Sequence, residues 1–185
     1  MKYGLVAFDM DGTLLEGENS WMLLHRRFGT VDIAEESHRL YLEGKISYRE
    51  FMERDFAFWP RPLHRSTLEE VLDKARIRPE APHVVERLKE RGMKVVIITA
   101  ALDILADKVA ERLGIDTVRA NGIGFDEKGY FDGRLFPRVE PFRKHEVLKE
   151  VAGSLSLTLD RTVAVGDSFH DSSFLKAAGL GIVFG

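Results

Sequence analysis

Leu5-Val6-Ala7-Phe8-Asp9-Met10-Asp11-Gly12-Thr13-Leu14 is the stretch that decides the fold. Leu5 to Phe8 is short, continuous and apolar and runs into Asp-x-Asp-Gly, which predicts a strand buried on both faces and ending in a loop. Side chains two apart at a strand end project to the same side, so both carboxylates can face one site. A calcium loop of the EF-hand kind also carries Asp-x-Asp. It is excluded here, because its sixth position would be Leu14 instead of Gly and its twelfth Ser20 instead of Glu.

Outward from that strand, similar runs recur at Val95 to Ile98, Thr162 to Val165 and Gly181 to Phe184. Amphipathic helices lie between them, Pro82 to Arg91 closed by Gly92 and Asp103 to Leu113 closed by Gly114. This alternation predicts an α/β fold, a Rossmann-like doubly wound parallel sheet with helices on both faces. Residues 15–78 break the rhythm with helical patterns. Ser47-Tyr48-Arg49-Glu50 and Ser66-Thr67-Leu68-Glu69 read as capping boxes, and Pro60 and Pro62 separate the helices they open. The expected organisation is a core of 1–14 and 79–185 with an inserted helical-bundle cap over 15–78. Asn121 to Phe136 reads as a β-hairpin with Asp126 to Gly129 at its tip.

The chain has 185 residues with 27 Lys and Arg against 30 Asp and Glu, a net charge of −3. That near-balance, without basic runs, argues against a nucleic-acid surface. The absence of cysteine excludes disulfides, thiolate metal sites and a cysteine nucleophile, and suits a cytoplasmic setting. The N-terminal apolar run meets Asp9 too soon to span a membrane.

A second acidic cluster, Gly166-Asp167-Ser168-Phe169-His170-Asp171, also follows an apolar strand. Alone it is equally a strand-to-helix turn with Asp as N-cap. Two acidic strand ends in one doubly wound sheet would gather where such folds bind ligands. Unneutralised carboxylates there would repel each other, which implies a cation, and an all-oxygen donor set favours Mg2+ over zinc. Thr99, at the end of the Val95 strand, offers a hydroxyl. Lys144, opening a helix over 144–151, offers a positive charge, although a lone Lys is usually a solvated surface residue. Gly122-Ile123-Gly124 lacks the third glycine of a dinucleotide fingerprint.

Asp-x-Asp-Gly-Thr, then strand plus Thr, then Lys, then Gly-Asp-x-x-x-Asp resembles the four motifs of the haloacid dehalogenase superfamily. The helical insertion resembles the cap of its phosphoserine phosphatase branch. The resemblance implies a magnesium-dependent phosphatase acting on a small phosphorylated metabolite, as monomer or homodimer, with a cap that closes over the site. It makes Asp9 the nucleophile and Asp11 the general acid and base. Asp9, Asp167 and the Asp11 carbonyl would be the Mg2+ ligands, supported by Asp171, with Thr99, Ala100 and Lys144 on the phosphate. Members of that branch usually continue with a further strand and helix, so a chain ending at Gly185 is expected to be either a short variant or one lacking that tail. A phosphotransferase and a non-catalytic binder of Mg2+ or a phosphometabolite are the competing readings.

The pattern departs from that branch in the residues that read the substrate. Glu18 matches its acidic recognition residue, but its carboxylate-clamping arginine falls at Asp55, with Arg54 turned ~100° away along the helix. Thr99-Ala100-Ala101 replaces Ser-Gly-Gly, and His170 replaces an asparagine. Glu18, Arg54 and His170 are therefore the candidate substrate contacts, and a phosphate ester other than phosphoserine is at least as well supported. Tyr48, Met52, Phe56 and Trp59 share a helix face, which predicts bundle core more readily than a substrate pocket.

Overall fold

A computed structural model describes residues 2–185. In chain order it begins with β1 (Leu5–Phe8), a two-residue β2 (Leu15–Glu16), α1 (Ser20–Phe28), α2 (Val31–Leu42), α3 (Tyr48–Ala57) and α4 (Arg65–Leu72). There follow β3 (Arg76–Ile77), α5 (Ala81–Glu90), β4 (Lys94–Leu102), α6 (Asp103–Leu113), β5 (Thr117–Phe125) and β6 (Phe131–Phe136). The chain continues with α7 (Lys144–Ser154), β7 (Thr162–Gly166), α8 (Ser172–Ala177) and β8 (Leu180–Val183).

The chain divides into two compact units, one of residues 1–17, 76–121 and 138–185, the other of 18–75 and 122–137. In the first, parallel strands run in the order β5-β4-β1-β7-β8. Counted along the chain that is 3-2-1-4-5, a doubly wound sheet whose order reverses between β1 and β7. The α/β expectation holds. The burial that made β1 legible is complete: Leu5, Val6 and Ala7 are almost wholly covered. Leu5 and Ala7 join Val96, Ile98 and Ala164 in a core closed by Leu148, Val151 and Ala152 of α7 and Phe174 of α8. Val6 and Phe8 alternate to the opposite face. α5 and α6 pack against β4 and against each other. α6 spans the expected residues, and its C-cap Gly114 is left-handed at φ 65°. β4 runs three residues past Thr99, to Leu102, so Thr99 lies inside the strand and not at its end. The cause is a register shift against β5 between Ile98 and Leu102, which lets β4 continue while the pairing breaks.

In the second unit Ser47 forms the expected capping box with Glu50. The second expected box does not form. His64 is the N-cap of α4, its Nδ1 accepting from the Ser66 N–H, and Glu69 instead pairs with Arg65 at 3.0 Å. Tyr48, Met52, Phe56 and Trp59 are buried, as the bundle-core reading requires. The hairpin of β5 and β6 forms, with Gly122 opposite Phe136 and its tip held by Asp126, which accepts from the Lys128 and Tyr130 amides. No helix among the described residues is long and apolar enough to cross a membrane.

Candidate active site

β1 pairs in register with both neighbours, Phe8 standing opposite Ile97 of β4 and Val165 of β7. The Asp9 N–H donates to the Val165 carbonyl at 2.8 Å, so Asp9 extends β1 by one residue beside the end of β7. Gly166 ends β7 and Asp167 follows it. The sheet's own register thus brings the two acidic loops together at the point where strand order reverses.

Asp9, Asp167 and Asp171 each offer a carboxylate oxygen, all within 4.8 Å of one another. Asp9 and Asp171 are buried and Asp167 is exposed. Three hard oxygen donors with no His or Cys suit a divalent cation such as Mg2+ and do not suit zinc. Two glycines make room for this group. Gly12 holds φ at 85°, and a Cβ there would lie 2.3 Å from Oδ2 of Asp167. A Cβ on Gly166 would lie 2.7 Å from Cγ of Asp171. Asp167 accepts from the Thr13 hydroxyl at 3.0 Å. Asp171 accepts from Ser168 at its amide (3.1 Å) and hydroxyl (2.9 Å).

Lys144 is buried, not solvated. Its ammonium donates to Oδ1 of Asp9 at 2.5 Å and to Oδ1 of Asp171 at 2.6 Å. Burial alone would lower its pKa, but the two carboxylates outweigh that and raise it, so it is charged. Asp9 shows the opposite balance. Burial, reinforced by repulsion from Asp171 and Asp11, outweighs the attraction of Lys144 and pushes its carboxyl from 3.8 up to about 7. One ammonium is not enough positive charge for this many carboxylates.

That imbalance makes stability depend on pH. The folded chain holds the Asp9 proton more tightly than the unfolded chain, so stability present below pH 4 is lost as pH rises through about 7. The loss is on the order of a few kcal/mol. Metal-free protein should therefore melt at a lower temperature at pH 8 than at pH 5, and a thermal scan in chelator across that range checks it. A flat profile would contradict the burial of an ionisable Asp9.

Asp11 is half-buried in the turn where the Met10 carbonyl accepts from the amides of Thr13, Leu14 and Leu15. Thr99 is buried, its hydroxyl accepting from the Ala101 N–H at 3.1 Å. The Ala100 carbonyl accepts from Asn121, which also exchanges two hydrogen bonds with Val139 and so ties the end of β4 to the segment leading to Lys144. His170 packs on Phe142 with centroids 5.0 Å apart. Glu18 pairs with Arg26 at 2.5 Å and Arg54 with Glu36 at 3.1 Å. Asp55 is buried against His25 at 3.2 Å, and His25 also bonds Thr30. Sequence reasoning missed Arg78, which donates to the carbonyls of Gly12 and Thr13; those partners are backbone and leave no pattern in the sequence.

The profile of the haloacid dehalogenase-like hydrolases matches residues 6–176. The chain belongs to that family. Among proteins similar to this family member is a phosphoserine phosphatase of Idiomarina loihiensis, 30% identical over 98% of this chain and 81% of its own length. Another is a phosphoserine phosphatase of Archaeoglobus fulgidus, 29% identical over 97% of this chain; the chain spans about half (52%) of that protein. A solved structure described as a phospho-aspartyl intermediate analogue of phosphoserine phosphatase superposes with a TM-score of 0.82. It is 28% identical and covers 100% of this haloacid dehalogenase-like chain and 87% of its own.

Proposed function

We propose that the chain is a Mg2+-dependent phosphatase that hydrolyses a small phosphate monoester through an aspartyl-phosphate on Asp9. The observation that carries this reading is the meeting of Asp9, Asp167 and Asp171 around one point with Lys144 bonded to Asp9. Family membership and relatives named phosphoserine phosphatase support it. The cysteine-free composition suits a reducing cytoplasm.

Phosphoryl transfer needs an in-line oxygen, neutralised charge and a placed proton. Asp9 supplies the oxygen and attacks phosphorus. Asp11 gives the leaving oxygen a proton, then takes one from the water that hydrolyses the aspartyl-phosphate. Lys144, the Thr99 hydroxyl and the Ala100 amide hold the phosphoryl oxygens, and Asp171 and Ser168 keep Lys144 aimed. Asp9, Asp167 and the Asp11 carbonyl hold Mg2+, which when bound offsets the charge that would keep a carboxylate from a phosphate dianion.

Phosphoserine is one substrate candidate, carried by the relatives' names. Glu18, Arg54 and His170 are the residues of this chain best placed in sequence to read the organic part. Asp55, where that branch has its clamping arginine, is instead an acidic residue buried against His25, and Arg54 is engaged by Glu36. This favours a small ester whose organic part lacks a free carboxylate.

The test is release of phosphate from an aryl phosphate with Mg2+, after chelation, and after Mg2+ is restored. We expect turnover, its loss and its recovery. Full turnover in chelator, or none in Mg2+ with any of a panel of phosphate monoesters, would remove the proposal. Gly12→Ala probes the cation pocket more finely. The new methyl drives Asp167 aside and forces a side-chain-bearing residue to φ 85°. Stability should fall by about 1–2 kcal/mol, the cost of a left-handed backbone in a residue with a Cβ. Mg2+ affinity should weaken by roughly 10-fold or more, read from the Mg2+ dependence of rate.

A further inference from the structure

The loop after β1 has a weakness: Gly12 carries no side chain to anchor it, yet its backbone abuts the Asp167 carboxylate so closely that a Cβ would lie 2.3 Å from Oδ2. Wherever Gly12 moves, the space for Asp167 changes. Glycine is the residue least able to hold such a position unaided.

Arg78 holds it. Residues 76 and 77 form β3, paired antiparallel with β2. The pairing brings the next residue back to the loop, where the Arg78 N–H donates to the Leu14 carbonyl at 2.9 Å. Its guanidinium then reaches two consecutive carbonyls, Nη2 to Gly12 at 2.9 Å and Nε to Thr13 at 3.0 Å. The planar fork of a guanidinium suits two fixed oxygens, and a lysine point charge does not. Thr13, so fixed, donates its hydroxyl to Asp167.

The other face of Arg78 leads to the second acidic loop. The Phe184 ring lies under the guanidinium with its centroid 4.7 Å from Cζ. The Phe184 N–H donates to the Gly166 carbonyl at 2.8 Å, immediately before Asp167. One side chain is thus tied to the loop bearing Asp9 and Asp11 by hydrogen bonds, and to the loop bearing Asp167 through an aromatic neighbour. We propose that Arg78, seated on Phe184, is the positioning residue that sets the spacing between the two acidic loops and thereby the affinity of the site for a divalent cation. It rests on the Mg2+ reading above. Arg78 is not a ligand; its effect is carried by the Gly12 and Thr13 backbone.

Mg2+ binding measured by calorimetry on the full chain tests this, with the melting temperature of the metal-free protein recorded beside it. Three variants are compared: Arg78→Gln, Arg78→Lys and Phe184→Leu. Arg78→Gln should raise the Kd for Mg2+ by about tenfold or more, the range for residues that orient metal ligands. Arg78→Lys should fall between it and wild type, because one ammonium reaches one carbonyl. Phe184→Leu should weaken binding least, and it covers the case in which the Arg78 variants do not fold. Turnover at saturating Mg2+ should recover in each variant. A wild-type Kd in Arg78→Gln with only a lower melting temperature would reduce Arg78 to a structural brace and overturn the inference. So would a wild-type Kd in both milder variants if Arg78→Gln is unfolded. Failure of the wild-type chain itself to bind Mg2+ would instead remove the underlying cation site, and this inference with it.

Discussion

Asp9→Asn is expected to abolish turnover, by roughly 10⁴-fold or more, in a protein that still folds. The amide keeps the shape of the carboxylate but has no charged oxygen to form the aspartyl-phosphate. Its second consequence is less obvious and separates the account from a simple loss of fold. In the wild-type protein Asp9 is buried and its carboxyl is pushed up to about 7. An asparagine carries no such ionisation, so the decline of metal-free stability between pH 4 and 8 should flatten in the variant. Steady-state rates and a pair of melting curves at pH 5 and pH 8 check both parts. Residual turnover within a factor of ten of wild type would mean another nucleophile.

Lys144→Met carries the second large effect. Lys144 is 3% exposed, and its ammonium is the shared partner of Asp9 and Asp171. Methionine fills similar volume with no charge and leaves two buried carboxylates facing each other. Breaking a buried pair in this way costs about 3–5 kcal/mol, a large share of a typical domain's stability. In the proposed mechanism the same change also removes a positive charge from the phosphoryl group, for which a loss of roughly 10²–10³ in kcat is the usual scale. The two losses can be told apart. Added Mg2+ should restore part of the melting temperature, since it answers the carboxylates, without restoring turnover. Equal melting temperatures for the variant and wild type would show that Asp9 and Asp171 do not depend on this lysine.

Asp9 and Lys144 were both legible in the sequence as candidates, but the burial of Lys144 was not. Asp9 follows four apolar residues that read as a buried strand, and Asp167 follows another such run. A sheet ordered 3-2-1-4-5 then leaves little choice about where they meet. Gly114 marked the end of α6 because a left-handed cap needs it. Ser47 marked the start of α3 because its partner Glu50 was three residues on. The same four-residue pattern at Ser66 misled, because a histidine side chain two residues upstream reached the Ser66 amide. Thr99 was placed at a strand end because the apolar run stops there, whereas β4 continues through two alanines to Leu102, where its pairing with β5 resumes at Asn121. Lys144 looked like a surface residue by type, and only the carboxylates around it keep it charged while buried. Arg78 had no sequence signal at all. Its partners are carbonyl groups, which every residue has, and a two-residue strand is too short to show a period.

The most direct measurement is to mix the enzyme with Mg2+ and a turned-over phosphate ester, quench in acid within the first turnover, digest, and locate the phosphoryl group by mass spectrometry. A phosphoryl group on the peptide containing Asp9, absent without Mg2+ and absent from Asp9→Asn, is the predicted result. A phosphoryl group on any other residue, or full turnover with no labelled peptide at any quench time, would contradict it.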